Sequence, residues 1–190
     1  MYRLFVAIEL PDDLRMRLAN LSRELPGGRP VPPGQIHLTL RFIGEVSRET
    51  FRGVRDSLAS IEAPSFALAL RGIGHFPPGR HPRVVWVGID DASLLLALQQ
   101  AVETALIGAG IPPEERRFSP HLTLARLKDV PPGPVIRFEE QHRDFAGGPF
   151  PVDAFYLFAS TLTRAGAIHE KMAVYPLAPR ESARDRGTAR

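Results

Sequence analysis

His37-Leu38-Thr39-Leu40 and, 84 positions later, His121-Leu122-Thr123-Leu124 spell the same tetrapeptide in a chain of 190 residues. A spacing close to half the chain marks an internal duplication, and the flanks repeat with it. Leu4-Phe5-Val6-Ala7-Ile8 is an apolar, β-rich run, followed by Pro11-Asp12-Asp13 and a helical stripe at Leu14, Leu18, Leu21 and Leu25. Val84-Val85-Trp86-Val87-Gly88-Ile89, then Asp90-Asp91, then Leu95, Leu98, Val102 and Leu106 restate that order. Loops rich in Pro and Gly, Pro26 to Gly34 and Gly108 to Pro120, lead into the two histidine segments. Both halves therefore read strand, helix, loop, histidine strand.

After the first histidine strand, Ser47 is placed to cap a helix running to about Glu62, and Phe66 to Ile73 alternates like a strand. The matching region of the second half is looser. Lys128 to Pro149 contains Pro131-Pro132 and Gly147-Gly148-Pro149, which predicts an irregular connection with at most a short helix or edge strand. A hairpin with arms Val152 to Thr163 and Ala167 to Leu177, turned by Arg164-Ala165-Gly166, closes the chain. The expected fold is α+β and bilobal, a pseudo-twofold duplication in which each lobe is a mainly antiparallel sheet with helices on its outer face and a cleft lies between the lobes. Residues 1–179 are expected to form this one domain, with 180–190 a basic flexible tail.

Composition narrows the function. With 44% hydrophobic residues in 21.0 kDa the chain can bury a proper core. The absence of cysteine excludes disulfides, thiolate chemistry and Cys-based zinc sites. Apolar runs are too short to cross a bilayer, and Met1 to Glu9 meets acid before a signal-peptide core forms, so a cytoplasmic protein without a membrane partner is expected. The net charge of +3 is carried almost wholly by arginine, Lys128 and Lys171 being the only lysines, and guanidinium forks suit phosphate.

On a strand, side chains alternate faces, so His37 and Thr39 point one way while Leu38 and Leu40 anchor the other. The same holds for His121 and Thr123. Two such faces across a cleft offer two imidazoles and two hydroxyls. Imidazoles near their reference pKa of about 6.5 can divide acid and base roles in one phosphodiester reaction, one deprotonating the attacking oxygen and the other protonating the leaving oxygen. A purely structural duplication would preserve apolar positions and turns more readily than an exposed histidine and threonine. No carboxylate or thiolate at ligand spacing supports zinc, so neither a metal nor a cofactor is expected. P-loop, nucleophile-elbow and Rossmann signatures are missing from the sequence. By alternation Arg41 shares the face of His37 and is the stronger candidate to attract phosphate, whereas Arg126 falls opposite His121 unless the strand bends. His75, His81, His142 and His169 stand singly near turns or strand ends and read as surface or structural.

The two His-Leu-Thr-Leu segments, with Arg41-Phe42-Ile43-Gly44-Glu45-Val46 after the first and Ala125-Arg126-Leu127 after the second, resemble the two-histidine phosphoesterase superfamily. Within it they resemble the RNA 2′,3′-cyclic phosphodiesterases, also called LigT-like or 2′-5′ RNA ligases. Arg3 to Ile8, Pro82 to Gly88 and Leu162 to His169 add to the match, which covers roughly Met1 to Leu177. The resemblance implies a metal-independent hydrolase that opens 2′,3′-cyclic phosphate RNA ends to 2′-phosphomonoesters, with weak reversible 2′-5′ ligation of tRNA halves. It implies His37 as proton donor, His121 as proton acceptor, Thr39 and Thr123 as phosphate holders, and Arg126 as a nucleotide contact. Phe5 or Phe42 is placed to stack a base, although a core role suits either. A monomer is expected. Two alternatives stay open: an RNA-end binding module without turnover, and the same box acting on 2′-5′ oligonucleotides or an ADP-ribose cyclic phosphate.

Overall fold

The computed structural model describes residues 1–79, 81–163 and 166–179; Arg164 and Ala165 of the expected hairpin turn, and the expected tail at 180–190, lie outside the described residues. In chain order the elements are β1 (Tyr2–Ile8), α1 (Asp12–Arg23), β2 (Arg29–Pro30), β3 (Leu38–Val46), α2 (Arg48–Leu58), β4 (Phe66–Phe76), β5 (Val84–Asp90), α3 (Ser93–Gly108), β6 (His121–Arg126), α4 (Pro132–Gln141), β7 (Ala146–Val152), β8 (Ala154–Thr163) and β9 (Gly166–Pro176). They form two sheets, in strand orders β3-β1-β8-β9 and β2-β6-β5-β4-β7, and every pairing between named strands is antiparallel. The α+β, bilobal expectation is met.

The helices form where the stripes place them. Asp12 and Asp13 in the first turn of α1 complement its dipole, and Leu14, Leu18 and Leu21 are buried. Ser47 caps α2, its hydroxyl accepting from the Thr50 amide at 3.1 Å, but the helix stops at Leu58 rather than near Glu62. Leu95, Leu98, Val102 and Leu106 are the buried face of α3. The region read as irregular is more ordered than expected. It holds the ten-residue α4, with Pro132 in its first turn and Val135 and Phe138 buried, and then β7, which pairs with β4 as an edge strand.

Sequence halves and lobes do not coincide. The helix that follows β1 packs on β6 of the other sheet, and α3, which follows β5, packs on β3. Strand β4 leaves the first half to pair with β5, while β8, after the second repeat, pairs with β1. This exchange interlocks the halves, and one continuous apolar cluster runs from Val6 and Leu38 through Leu18 and Leu98 to Leu122 and Val87. The helices cover the outer faces, leaving His37 and His121 on inner faces that share a cleft.

Candidate active site

A cleft of about 660 Å³ is lined by residues from both sheets, including His37, Thr39, His121 and Thr123. The strand alternation that sends Leu38, Leu40, Leu122 and Leu124 into the core is what turns these four polar side chains inward. Among the described residues lining the cleft there are also Arg3, Arg29, Arg126 and His169, and no carboxylate.

Both histidine strands carry a bulge at the same place in the repeat. Val6 faces Arg41 and Ala7 faces Thr39, leaving Leu40 extra; Val85 faces Ala125 and Trp86 faces Thr123, leaving Leu124 extra. A bulge puts two residues opposite one, so alternation resumes on the other face. Leu40 and Arg41 are consequently both buried, as are Leu124 and Ala125, and the next residues, Phe42 and Arg126, emerge into the cleft.

Two expectations change for this one reason. Arg41 is not on the phosphate side. It is buried behind β3, where its Nε donates to Glu103 at 2.7 Å, Nη1 to Glu114 at 3.1 Å and Nη2 to the Pro112 carbonyl at 2.7 Å. It fastens β3 to α3 and to the loop that delivers His121. Arg126, which strict alternation sends away, instead lines the cleft.

Phe5 is also corrected as a base-stacking candidate. It is only 3% exposed, enclosed by His37 at 4.8 Å between ring centroids, Phe158 at 5.1 Å, His169 at 4.9 Å and Phe42 at 5.9 Å. It is the floor under His37. Phe42, 63% exposed at the cleft, has its ring surface open.

His169, read as surface or structural, belongs to the cleft: its ring meets His37 edge-on at 5.2 Å. The register of β9 against β8, which opposes His169 to Ser160, carries it there; in the sequence only the family-like segment Leu162 to His169 points to it. Burial first, then the neighbouring His169 and the charge of Arg126, push His37 down to about 4, against the raising effect of a hydrogen bond that the ring donates to the Gln35 backbone carbonyl. These surroundings favour the neutral imidazole of His37. His121 is oriented by the Ser119 carbonyl, which accepts a hydrogen bond from its Nδ1 at 2.7 Å, so Nε2 is the ring nitrogen left for chemistry. Beside it, Phe76 meets His121 edge-on at 5.1 Å, and Trp86 lies against Gly74, where a Cβ would come within 2.4 Å of the indole. Two other histidines are structural, His75 joined to Glu139 at 2.7 Å and His142 to Glu24 at 3.1 Å.

A family model described as LigT like Phosphoesterase matches the chain twice, over residues 8–86 and 87–169. The RNA 2′,3′-cyclic phosphodiesterase of Aeropyrum pernix is 40% identical over 138 residues, spanning 72% of this chain and 78% of the relative. The enzyme of the same name from Thermus thermophilus is 35% identical over 188 residues, 92% of this chain and 90% of the relative. The crystal structure of E. coli LigT complexed with 3′-AMP superposes with a TM-score of 0.75 at 29% identity, covering 93% of this chain and 98% of that one. The duplicated histidine strands and the duplicated family match fall on the same two halves, and the chain belongs to the LigT-like phosphoesterase family.

Proposed function

We propose that the chain hydrolyses 2′,3′-cyclic phosphate ends of RNA by two-histidine acid–base catalysis without a metal. The observation that carries this is the convergence of both repeated His-x-Thr faces on one cleft whose described lining holds no carboxylate. The activity named for the relatives supports the substrate.

Thr39 and Thr123 donate hydroxyl hydrogen bonds to the non-bridging phosphate oxygens, and Arg126 adds a guanidinium. The Nε2 of His121 takes a proton from water as the water oxygen bonds to phosphorus. The bond from phosphorus to the ribose 3′ oxygen breaks, and His37 gives its proton to that departing oxygen. The product is a 2′-phosphomonoester with a free 3′ hydroxyl. A neutral His37 cannot act as an acid, and bound substrate resolves this: the phosphate anion favours the imidazolium, reversing the depression set by burial and His169. A ribose 5′ hydroxyl in place of water would give the 2′-5′ linkage expected of tRNA-half ligation.

The donor set supports metal independence. Arginines, histidines and hydroxyls without a carboxylate suit an anion and repel a cation. Incubation with a panel of 2′,3′-cyclic and 3′,5′-cyclic nucleotides in excess chelator tests the proposal. Turnover confined to the 2′,3′-cyclic members is expected; an inactive enzyme revived by a divalent metal would contradict it, and binding without turnover would favour an RNA-end binding module.

A further inference from the structure

We infer that Arg29 and Arg126 form a second phosphate subsite that holds the phosphodiester on the 5′ side of the terminal nucleoside; this rests on the cyclic-phosphate reading above. In the register of β2 against β6, Arg29 lies opposite Arg126 and Pro30 opposite Ala125, and the Val31 amide donates to the Leu124 carbonyl at 2.8 Å. Residues directly opposed across an antiparallel pair share a face, and both arginines line the cleft. The short strand β2 is thereby pinned beside the bulge that turns Arg126 inward.

Like charges placed directly opposite one another destabilise a sheet unless something neutralises them. Among the described residues, neither Arg29 nor Arg126 has a carboxylate within ion-pair distance, whereas Arg15, Arg41, Arg55 and Arg71 do. Two exposed guanidiniums in a cleft whose described lining holds no carboxylate are completed by an anion. Arg126 reaches the scissile phosphate in the mechanism above and its charge bears on His37, so it is Arg29, across from it on β2, that points to a second phosphate. Along β6 the cleft face runs His121, Thr123, Arg126, and the three steps from Thr123 to Arg126 span at most roughly 10 Å at about 3.3 Å per residue, less the shortening at the Leu124 bulge. Arg126 can serve either phosphate; Arg29, across from it on the edge strand, extends the cation away from the histidines.

The subsite belongs to one lobe only. Among the described residues, the loop before His121 has no strand corresponding to β2, and the residue that matches Arg126 in the first repeat is Phe42. A terminal nucleotide therefore meets an aromatic face on one wall and a guanidinium pair on the other, which suits a base and a backbone phosphate. The preferred substrate class is an RNA end or a 5′-phosphorylated nucleotide, turned over more efficiently than a bare nucleoside cyclic phosphate.

The test compares three substrates: a nucleoside 2′,3′-cyclic phosphate, the same compound with a 5′ phosphate, and a dinucleotide with a 2′,3′-cyclic end. The second and third should exceed the first in kcat/KM by about tenfold, as one charge-assisted contact implies. Arg29→Gln should erase most of that ratio, Arg29→Lys should keep part of it, and the ratio should shrink as salt rises. Calorimetric affinity for a nucleoside 2′,5′-bisphosphate against the 2′-monophosphate gives the same comparison without turnover. Equal treatment of the substrates by the wild type, or an Arg29→Gln that slows all three alike, would overturn the subsite. Loss of turnover on every substrate, with the bisphosphate preference intact, would overturn the parent reading and leave the subsite standing.

Discussion

His37 lies on a floor of Phe5 and Phe158 with His169 at its edge, whereas His121 has Phe76 at its edge and its Nδ1 committed to the Ser119 carbonyl. Both come from the same tetrapeptide, and both strands bulge at the same repeat position, yet the bulge delivers Phe42 to the cleft in one lobe and Arg126 in the other. Duplication supplies two imidazoles, which the proposed mechanism uses as acid and base. The divergence around them makes the cleft directional, because a substrate with a base at one end and a charged chain at the other has one favourable orientation.

The strongest way to break this comparison is to remove each histidine separately. His37→Ala and His121→Ala should each cost roughly 10²–10⁴-fold in kcat, the usual contribution of a general acid or base. Circular dichroism should show both folded, since both side chains face the cleft. A variant that keeps near-wild-type turnover would show that only one lobe does chemistry.

Next in size is Arg41→Ala, which separates the buried arginine of lobe one from the cleft arginine of lobe two. It strips the partner from Glu103, itself largely buried, and should lower unfolding stability by about 3–5 kcal/mol in chemical denaturation. Were Arg41 a phosphate ligand instead, stability would hold and KM alone would rise.

Phe42→Ala should raise KM by about tenfold, within the range for one base stacked on an aromatic ring. An unchanged KM would remove the base from the Phe42 wall.

The smallest effect concerns proton affinity. His37 is held below its ordinary 6.5 by burial and then by His169, so one limb of the kcat/KM profile, which reports the free enzyme, should lie near pH 4. His169→Gln removes the repelling charge, raises the affinity of His37 for its proton, and should move that limb to higher pH. A limb that stays in place would leave His169 without a role in setting His37.

Much of this was legible in the residues. The tetrapeptide repeat, the leucine stripes and the Ser47 cap gave the bilobal α+β frame, because period and capping are local properties. The bulges were less accessible: Thr123-Leu124-Ala125-Arg126, with two apolar residues in succession, hints at a break in alternation, but Thr39-Leu40-Arg41-Phe42 alternates regularly and points Arg41 the wrong way. Only the partner strand β1 settles that register. Helix α4 was underestimated because prolines that end one helix also begin another. His169 reaches the site through pairing between distant strands, and the crossing of helices between lobes is a matter of packing that no short segment encodes.

The directional cleft is tested most directly by the identity of the product. With His121 taking a proton from water and His37 giving one to the 3′ oxygen, a ribonucleoside 2′,3′-cyclic phosphate held in one orientation yields a single isomer. Phosphorus NMR of a complete reaction in chelator, compared with authentic 2′- and 3′-nucleotides, should show the 2′-phosphomonoester almost alone. A predominantly 3′-phosphate product, or a mixture of the two, would contradict the fixed roles of the two histidines.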